Sequence, residues 1–129
     1  MTPARRVAAE MLALCFRAGV GPDDGSEAAG RAVNAVVARE LEPSPADVLL
    51  CPLSEWLTRR LGVRAYAAHD AVIVPLPCAA ATVRCRHGEE RIVGAVSAVR
   101  VPLPLAVRVA VWLVDRRKDA GNRKRGDAA

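Results

Sequence analysis

Four cysteines and two histidines are the soft-ligand side chains of this 129-residue chain, and their spacing bounds the chemistry they could do. Cys85 and His87 stand two apart in an alternating segment, so on a strand both side chains would leave the same face. With Cys78 and Cys51 they form a set that could share one zinc ion. No Cys-x-x-Cys knuckle accompanies them, so the expected reading is reduced, structural thiols with no metal and no cofactor. A nucleophilic site would need a base and an orienting group beside the thiol or hydroxyl. His69 and Asp70, as neighbours on a strand, would face opposite ways. The chain also has no Gly-x-Ser-x-Gly elbow, no Gly-x-x-x-x-Gly-Lys loop and no dinucleotide fingerprint. No catalytic residue is therefore expected, and an enzyme built on Cys78, Cys85 and His87 is the least favoured reading.

Basic residues offer a second chemistry. The net charge is +5, and residues 100–129 carry all of the excess, with eight basic residues against three acids. The basic run Arg116, Arg117 and Lys118, followed by Arg123, Lys124 and Arg125, could make sequence-independent phosphate contacts. It could equally be a solvated end that complements a helix dipole. A second nucleic-acid reading treats residues 53–73 as a helix-turn-helix, with Leu61-Gly62-Val63 as the turn, residues 64–73 as a recognition helix offering Arg64 and His69 to base edges, and Arg59 and Arg60 as further nucleic-acid-binding residues. Strand alternation fits residues 64–73 at least as well. Arg outnumbers Lys by 17 to 2 and Ala occurs 25 times, a bias that warns against reading each Arg as a ligand contact. Only Phe16, Trp56, Tyr66 and Trp112 are aromatic, which excludes a stacking platform for single-stranded nucleic acid.

The elements that must position these residues follow from periodicity. Residues 4–18 predict a helix with Val7, Met11, Leu14, Cys15 and Ala18 on one face. Asp24 and Glu27 have the form of a capping box, which predicts a second helix over about 25–41, buried through Ala29, Val33, Val36, Val37 and Leu41. Residues 42–45 read as a linker, and 46–50 as either a helical turn or a short strand. Pro52 opens a short third helix with Leu53, Trp56, Leu57 and Leu61 on one face and Gly62 as its stop. Beyond Gly62 the period becomes alternating. Residues 63–67, 71–74, 82–87 and 91–101 predict strands, with a hairpin turning at Gly88-Glu89-Glu90. The tripeptide Pro-Leu-Pro, at 75–77 and again at 102–104, should mark strand ends.

A last helix is expected from Pro104 to Asp115 or Lys118, apolar around almost its whole circumference. Such a helix must be covered on most sides, which predicts a homodimer or other homo-oligomer held by Val109, Trp112 and Leu113. Residues 119–129 have no large apolar side chain and are expected to be a disordered basic tail. The longest uncharged run, residues 71–83, is 13 residues long and holds two prolines, so no membrane span is expected. Charged Glu10 and Arg17 interrupt the N-terminal apolar stretch, which argues against an export signal and for a cytoplasmic protein.

The stretch Cys51-Pro52-Leu53 through Leu61-Gly62, continued by Val72-Ile73-Val74 and Leu103-Pro104-Leu105-Ala106-Val107, resembles a group of small uncharacterised actinobacterial proteins. Their shared features are a Cys-Pro-Leu helix, a short sheet and a terminal helix begun by Leu-Pro. The resemblance covers about half the chain and implies a fold, with no catalytic residue carried over. This sequence departs from the group after Val114, where it reads Asp-Arg-Arg-Lys. The expectation is thus one α+β domain over 1–118: a helical pair, a short third helix, a small antiparallel β-meander and a hydrophobic C-terminal helix. Its expected function is a non-catalytic protein-interaction or adaptor protein, of a mobile-element or phage-related kind, with an unidentified protein partner. A small DNA-associated regulator using 53–73 and the basic tail is the alternative.

Overall fold

A computed structural model describes residues 2–41, 51–77, 81–85, 88–92 and 95–127, with side chains over 2–41, 51–75 and 98–117. Helix α1 spans Pro3–Arg17 and is N-capped by Thr2, whose hydroxyl accepts from the Arg5 N–H at 3.3 Å. It buries Val7, Met11, Leu14 and Cys15, the face its periodicity predicts. Helix α2, Glu27–Glu40, starts two residues later than the capping-box reading places it. Ser26 is the cap, accepting from Ala29 N–H at 3.1 Å, while Asp24 accepts from the Ser26 N–H at 2.9 Å. Two good capping residues compete here; the Asp24 carboxylate shapes the preceding turn and leaves the helix start to Ser26. That backbone N–H is the main cause that holds the Asp24 carboxyl below its ordinary value.

Helix α3, Pro52–Leu61, is capped by the Cys51 thiol and stopped by Gly62 at φ 73°, a left-handed conformation that suits glycine. Leu53, Trp56, Leu57 and Leu61 are all buried, as expected. The linker at 42–45 and the choice between helix and strand at 46–50 lie outside the described residues.

Trp56 joins the three helices. Its indole N–H donates to Glu40 Oε2 at 2.9 Å, and Arg17 bridges to the same carboxylate at 2.8 Å. The guanidinium groups of Arg17 and Arg60 each lie 5.6 Å from the indole centroid, and Arg60 also pairs with Glu10 at 2.9 Å. Burial raises the Glu40 pKa, but the hydrogen bonds from Arg17 and Trp56 and the charges of Arg17 and Arg60 outweigh it, so the carboxyl titrates below its ordinary 4.5. A carboxyl depressed in the folded state stabilises above its unfolded pKa, and that contribution is lost as pH falls through the folded value. Urea unfolding from about pH 6 to about pH 3 should therefore show an acid-side loss of stability that Glu40→Gln makes shallower. An unchanged profile in that variant would remove Glu40 from the account.

The strands are β1 (Tyr66–Ala67), β2 (Ala71–Pro77), β3 (Ala81–Cys85), β4 (Gly88–Ile92) and β5 (Ala95–Pro102). All pairings are antiparallel, with β1-β2-β5 as one sheet and β3-β4 as a second. The β2–β5 ladder runs from Ala71↔Pro102 to Leu76↔Ser97 and shifts at Pro77↔Ala95. The β3–β4 ladder, from Ala81↔Ile92 to Cys85↔Gly88, then resumes the original register. The meander is thus two antiparallel ladders, with β1 added to the first at the Ala71 end of β2. The predicted hairpin is present, but Gly88-Glu89-Glu90 belongs to β4, where Gly88 pairs with Cys85. The predicted strand 91–101 is likewise divided between β4 and β5. Pro77 and Pro102 stand at the two ends of the ladder, but the predicted strand 71–74 continues to Pro77, so Pro75 lies inside β2 opposite Ala98.

Helix α4 runs Leu105–Asp127, nine residues beyond the later of its two predicted ends at Lys118. Ala, Arg and Lys are good helix formers, and they carry the backbone past Gly121. The core is one cluster in which Met11, Leu14, Val33, Leu57, Val72 and Val107 bring all four helices and the sheet together.

Candidate interaction surface

The start of α4 is pinned from two sides. Pro104 supplies the carbonyl for the first helical hydrogen bond, from Arg108 N–H at 2.9 Å. The orphan N–H of Ala106 donates to the Pro22 carbonyl at 3.0 Å, and Leu103 N–H donates to the Asp70 carbonyl at 2.9 Å. The α1–α2 loop and the β1–β2 turn thereby set the direction of the helix. Along its length α4 lies close on α2 at Gly30, where an added Cβ would stand 2.6 Å from Val109 Cγ1 and 2.9 Å from the Ala110 nitrogen. Asn34 Nδ2 donates to the Ala110 carbonyl at 2.9 Å, and Arg116 reaches Glu27 at 3.4 Å. Small residues on facing positions, Gly30 and Ala110, are what allow two helices to approach this closely.

The seam against α2 and the core covers much of the helix that reads as apolar all round. Ala106, Val107, Ala110, Val111 and Leu113 are buried within the chain. Leu113 therefore leaves the predicted interface set, because it packs against α2 near Gly30. Val109 is half-buried, and Trp112 is 51% exposed with the Arg116 guanidinium 5.2 Å from its ring centroid. Leu105, also exposed, continues the stripe toward the helix start. Beside Trp112 lies a depression of about 330 Å³ lined by His69, Arg108, Val109, Val111, Trp112 and Asp115. An aromatic ring at the edge of an apolar hollow, with charged residues around it, has the composition of an interface centre and rim.

The other predicted site residues fall elsewhere. Residues 64–73 are the β1–β2 hairpin and its approach, so there is no recognition helix after Gly62 and the helix-turn-helix reading is corrected. Tyr66, Ala67, Ala71, Val72 and Val74 are buried on this hairpin, a burial that a solvent-facing recognition helix would not need. Arg59 pairs with Glu55 at 3.2 Å and Arg60 with Glu10 at 2.9 Å. Arg64 reaches Glu55 at 3.6 Å and covers the Tyr66 ring at 5.4 Å. Each of these cations is thus engaged with a carboxylate on the surface. Arg117 is exposed on α4; Lys118, Arg123, Lys124 and Arg125 follow on its helical backbone.

Cys51 is buried, its Sγ accepting from the Ser54 N–H at 3.3 Å and lying 2.9 Å from Ser54 Oγ, which in turn accepts from Ala67 N–H at 2.8 Å. The thiol thereby ties the start of α3 to β1. Cys85 lies in β3, while Cys78 and His87 fall outside the described residues. Among the described residues, no group of three His, Cys, Asp or Glu could hold a metal ion. Burial pushes the Cys15 thiol above its ordinary value. A second hollow, of about 340 Å³, is lined by Pro3, Arg6, Val7, Leu61, Val63, Val74 and Pro75. Its charged wall, Arg6, donates to the Leu61 carbonyl at 3.0 Å and so caps the C-terminus of α3.

Among the described residues, no helix is long and apolar enough to cross a membrane. No protein-family model, no curated protein and no solved structure matches the chain.

Proposed function

We propose that the chain is a non-catalytic protein-interaction module that pairs with a second copy of itself through the exposed face of α4. The observation that carries this reading is Trp112: a large aromatic, 51% exposed, beside an apolar hollow on a helix whose other side is already buried. Aromatic side chains at the edge of pockets are the residues that dominate association energies. Two-fold homodimers are the commonest closed assembly of soluble chains.

Trp112→Arg should convert dimer to monomer in sedimentation equilibrium, because it sets a charge against an apolar surface. Arg123→Ala should leave the dimer intact. Leu12 and Phe16, 51% and 85% exposed on α1, are the rival apolar pair. Dissociation by Phe16→Asp together with no effect of Trp112→Arg would move the interface to α1 and refute the α4 reading.

A further inference from the structure

The second hollow, of about 340 Å³, lies where α1, the end of α3 and β2 meet, and it shares no lining residue with the one beside Trp112. Its floor is apolar and buried, formed by Val7 of α1, Leu61 of α3 and Val74 of β2. Pro3 and Val63, both exposed, stand at its mouth. Among the described residues, Arg6 is the one charged member of the lining. Its Nη2 donates to the Leu61 carbonyl at 3.0 Å, which uses one N–H of the planar fork and holds the guanidinium beside the hollow. No carboxylate among the described residues pairs with it. We propose that this hollow binds a small free monocarboxylic acid, its alkyl chain on Val7, Leu61 and Val74 and its carboxylate on Arg6.

Size and shape favour a small molecule. The volume is about twice that of a cavity that admits benzene, which sets the ligand at about eight to twelve heavy atoms. Apolar walls with a few polar groups that fix orientation are the common make-up of ligand pockets. A buried floor behind an exposed rim admits a chain end-on, whereas a protein partner needs a broad face. Charge selects the head group. The arginine fork presents parallel N–H donors that match a carboxylate, and among the described residues no acid in the lining competes for it. The positive end of α1, a 15-residue helix with Pro3 in its first turn, borders the same mouth and adds to the attraction. An ammonium head group would be repelled by both.

The test titrates the purified full chain with octanoate, octanol and octylammonium, read by methyl chemical shifts in NMR. Octanoate should bind saturably with a Kd on the order of 0.1–1 mM and shift the methyls of Val7, Leu61, Val63 and Val74. Octanol should bind about five- to tenfold more weakly, and octylammonium more weakly still. Arg6→Gln should bring octanoate down to the level of octanol while octanol binding stays as it was, which separates loss of the charge from loosening of the α3 end. Val63→Trp should block all three by filling the mouth, with circular dichroism confirming its fold; the Arg6→Gln comparison decides the question even where that variant fails to fold. Four results would overturn the proposal: equal affinity for octanoate and octylammonium, octanoate binding that survives Arg6→Gln, equal weakening of octanoate and octanol by that variant, or shifts confined to other methyls. So would the absence of saturable octanoate binding up to about 10 mM.

Discussion

Trp56→Ala should cost about 3–5 kcal/mol of folding stability, a large share of what a domain of this size has to lose. The side chain is 2% exposed, so its removal leaves a void where α1, α2 and α3 meet. Most of the expected cost is that void together with lost apolar burial. A further part is polar: the indole N–H that donates to Glu40 at 2.9 Å disappears, while the Arg17 hydrogen bond to the same carboxylate remains. Arg17 and Arg60 also lose the ring face over which both lie. Trp56→Phe separates these contributions, since it keeps an aromatic ring and deletes the donor; its expected cost is about 1–3 kcal/mol. Combining it with Glu40→Gln should show non-additivity, because both changes act on one hydrogen bond. Urea denaturation midpoints with unchanged slopes check all three, and a Trp56→Ala cost below about 1 kcal/mol would contradict this packing.

Gly30→Ala should destabilise by about 1–3 kcal/mol even though alanine is the better helix former by about 1 kcal/mol. The added Cβ meets Val109 Cγ1 at 2.6 Å, the Ala110 backbone nitrogen at 2.9 Å and Leu113 Cδ1 at 3.1 Å. A side chain can rotate away, but a backbone nitrogen in the middle of a helix cannot, so α2 and α4 must separate. Separation lengthens the Asn34 hydrogen bond to the Ala110 carbonyl and loosens the Arg116 pair with Glu27. It also tilts the Trp112 face, so dimer affinity should fall along with stability. Gly25→Ala is the matched control, meeting only the Leu105 side chain, which is 42% exposed and can swing aside. Equal effects at the two glycines, measured by thermal or urea unfolding, would contradict the close α2–α4 approach.

The elements that were legible from sequence are those whose information is local. In α1 and α3 the apolar residues recur at helical spacing, and α3 is also marked by Pro52 at its start and Gly62 as its stop. Where two local signals compete, the boundary moves, as it does between Asp24 and Ser26. Long-range pairing leaves little local trace. Ala71 opposite Pro102 is set by the ribbon as a whole, and nothing near either residue shows that β4 and β5 are separate strands.

The candidate surface was half legible for the same reason. Val109 and Trp112 stand out by residue type, but which side of α4 the chain itself covers depends on α2. The signal for that was Gly30, which in a helical pattern reads as a defect and is in fact the contact that turns Leu113 inward. The arginines show the opposite failure. Arg59, Arg60 and Arg64 look like a basic patch in one dimension, whereas folding brings Glu10 and Glu55 against them.

Sedimentation velocity of the unmodified chain, from micromolar to near-millimolar concentration, tests self-pairing through α4 most directly. The predicted result is a concentration-dependent rise to twice the 13.7 kDa chain mass, reversed on dilution and abolished by Trp112→Arg. A well-folded monomer across the whole range would contradict it.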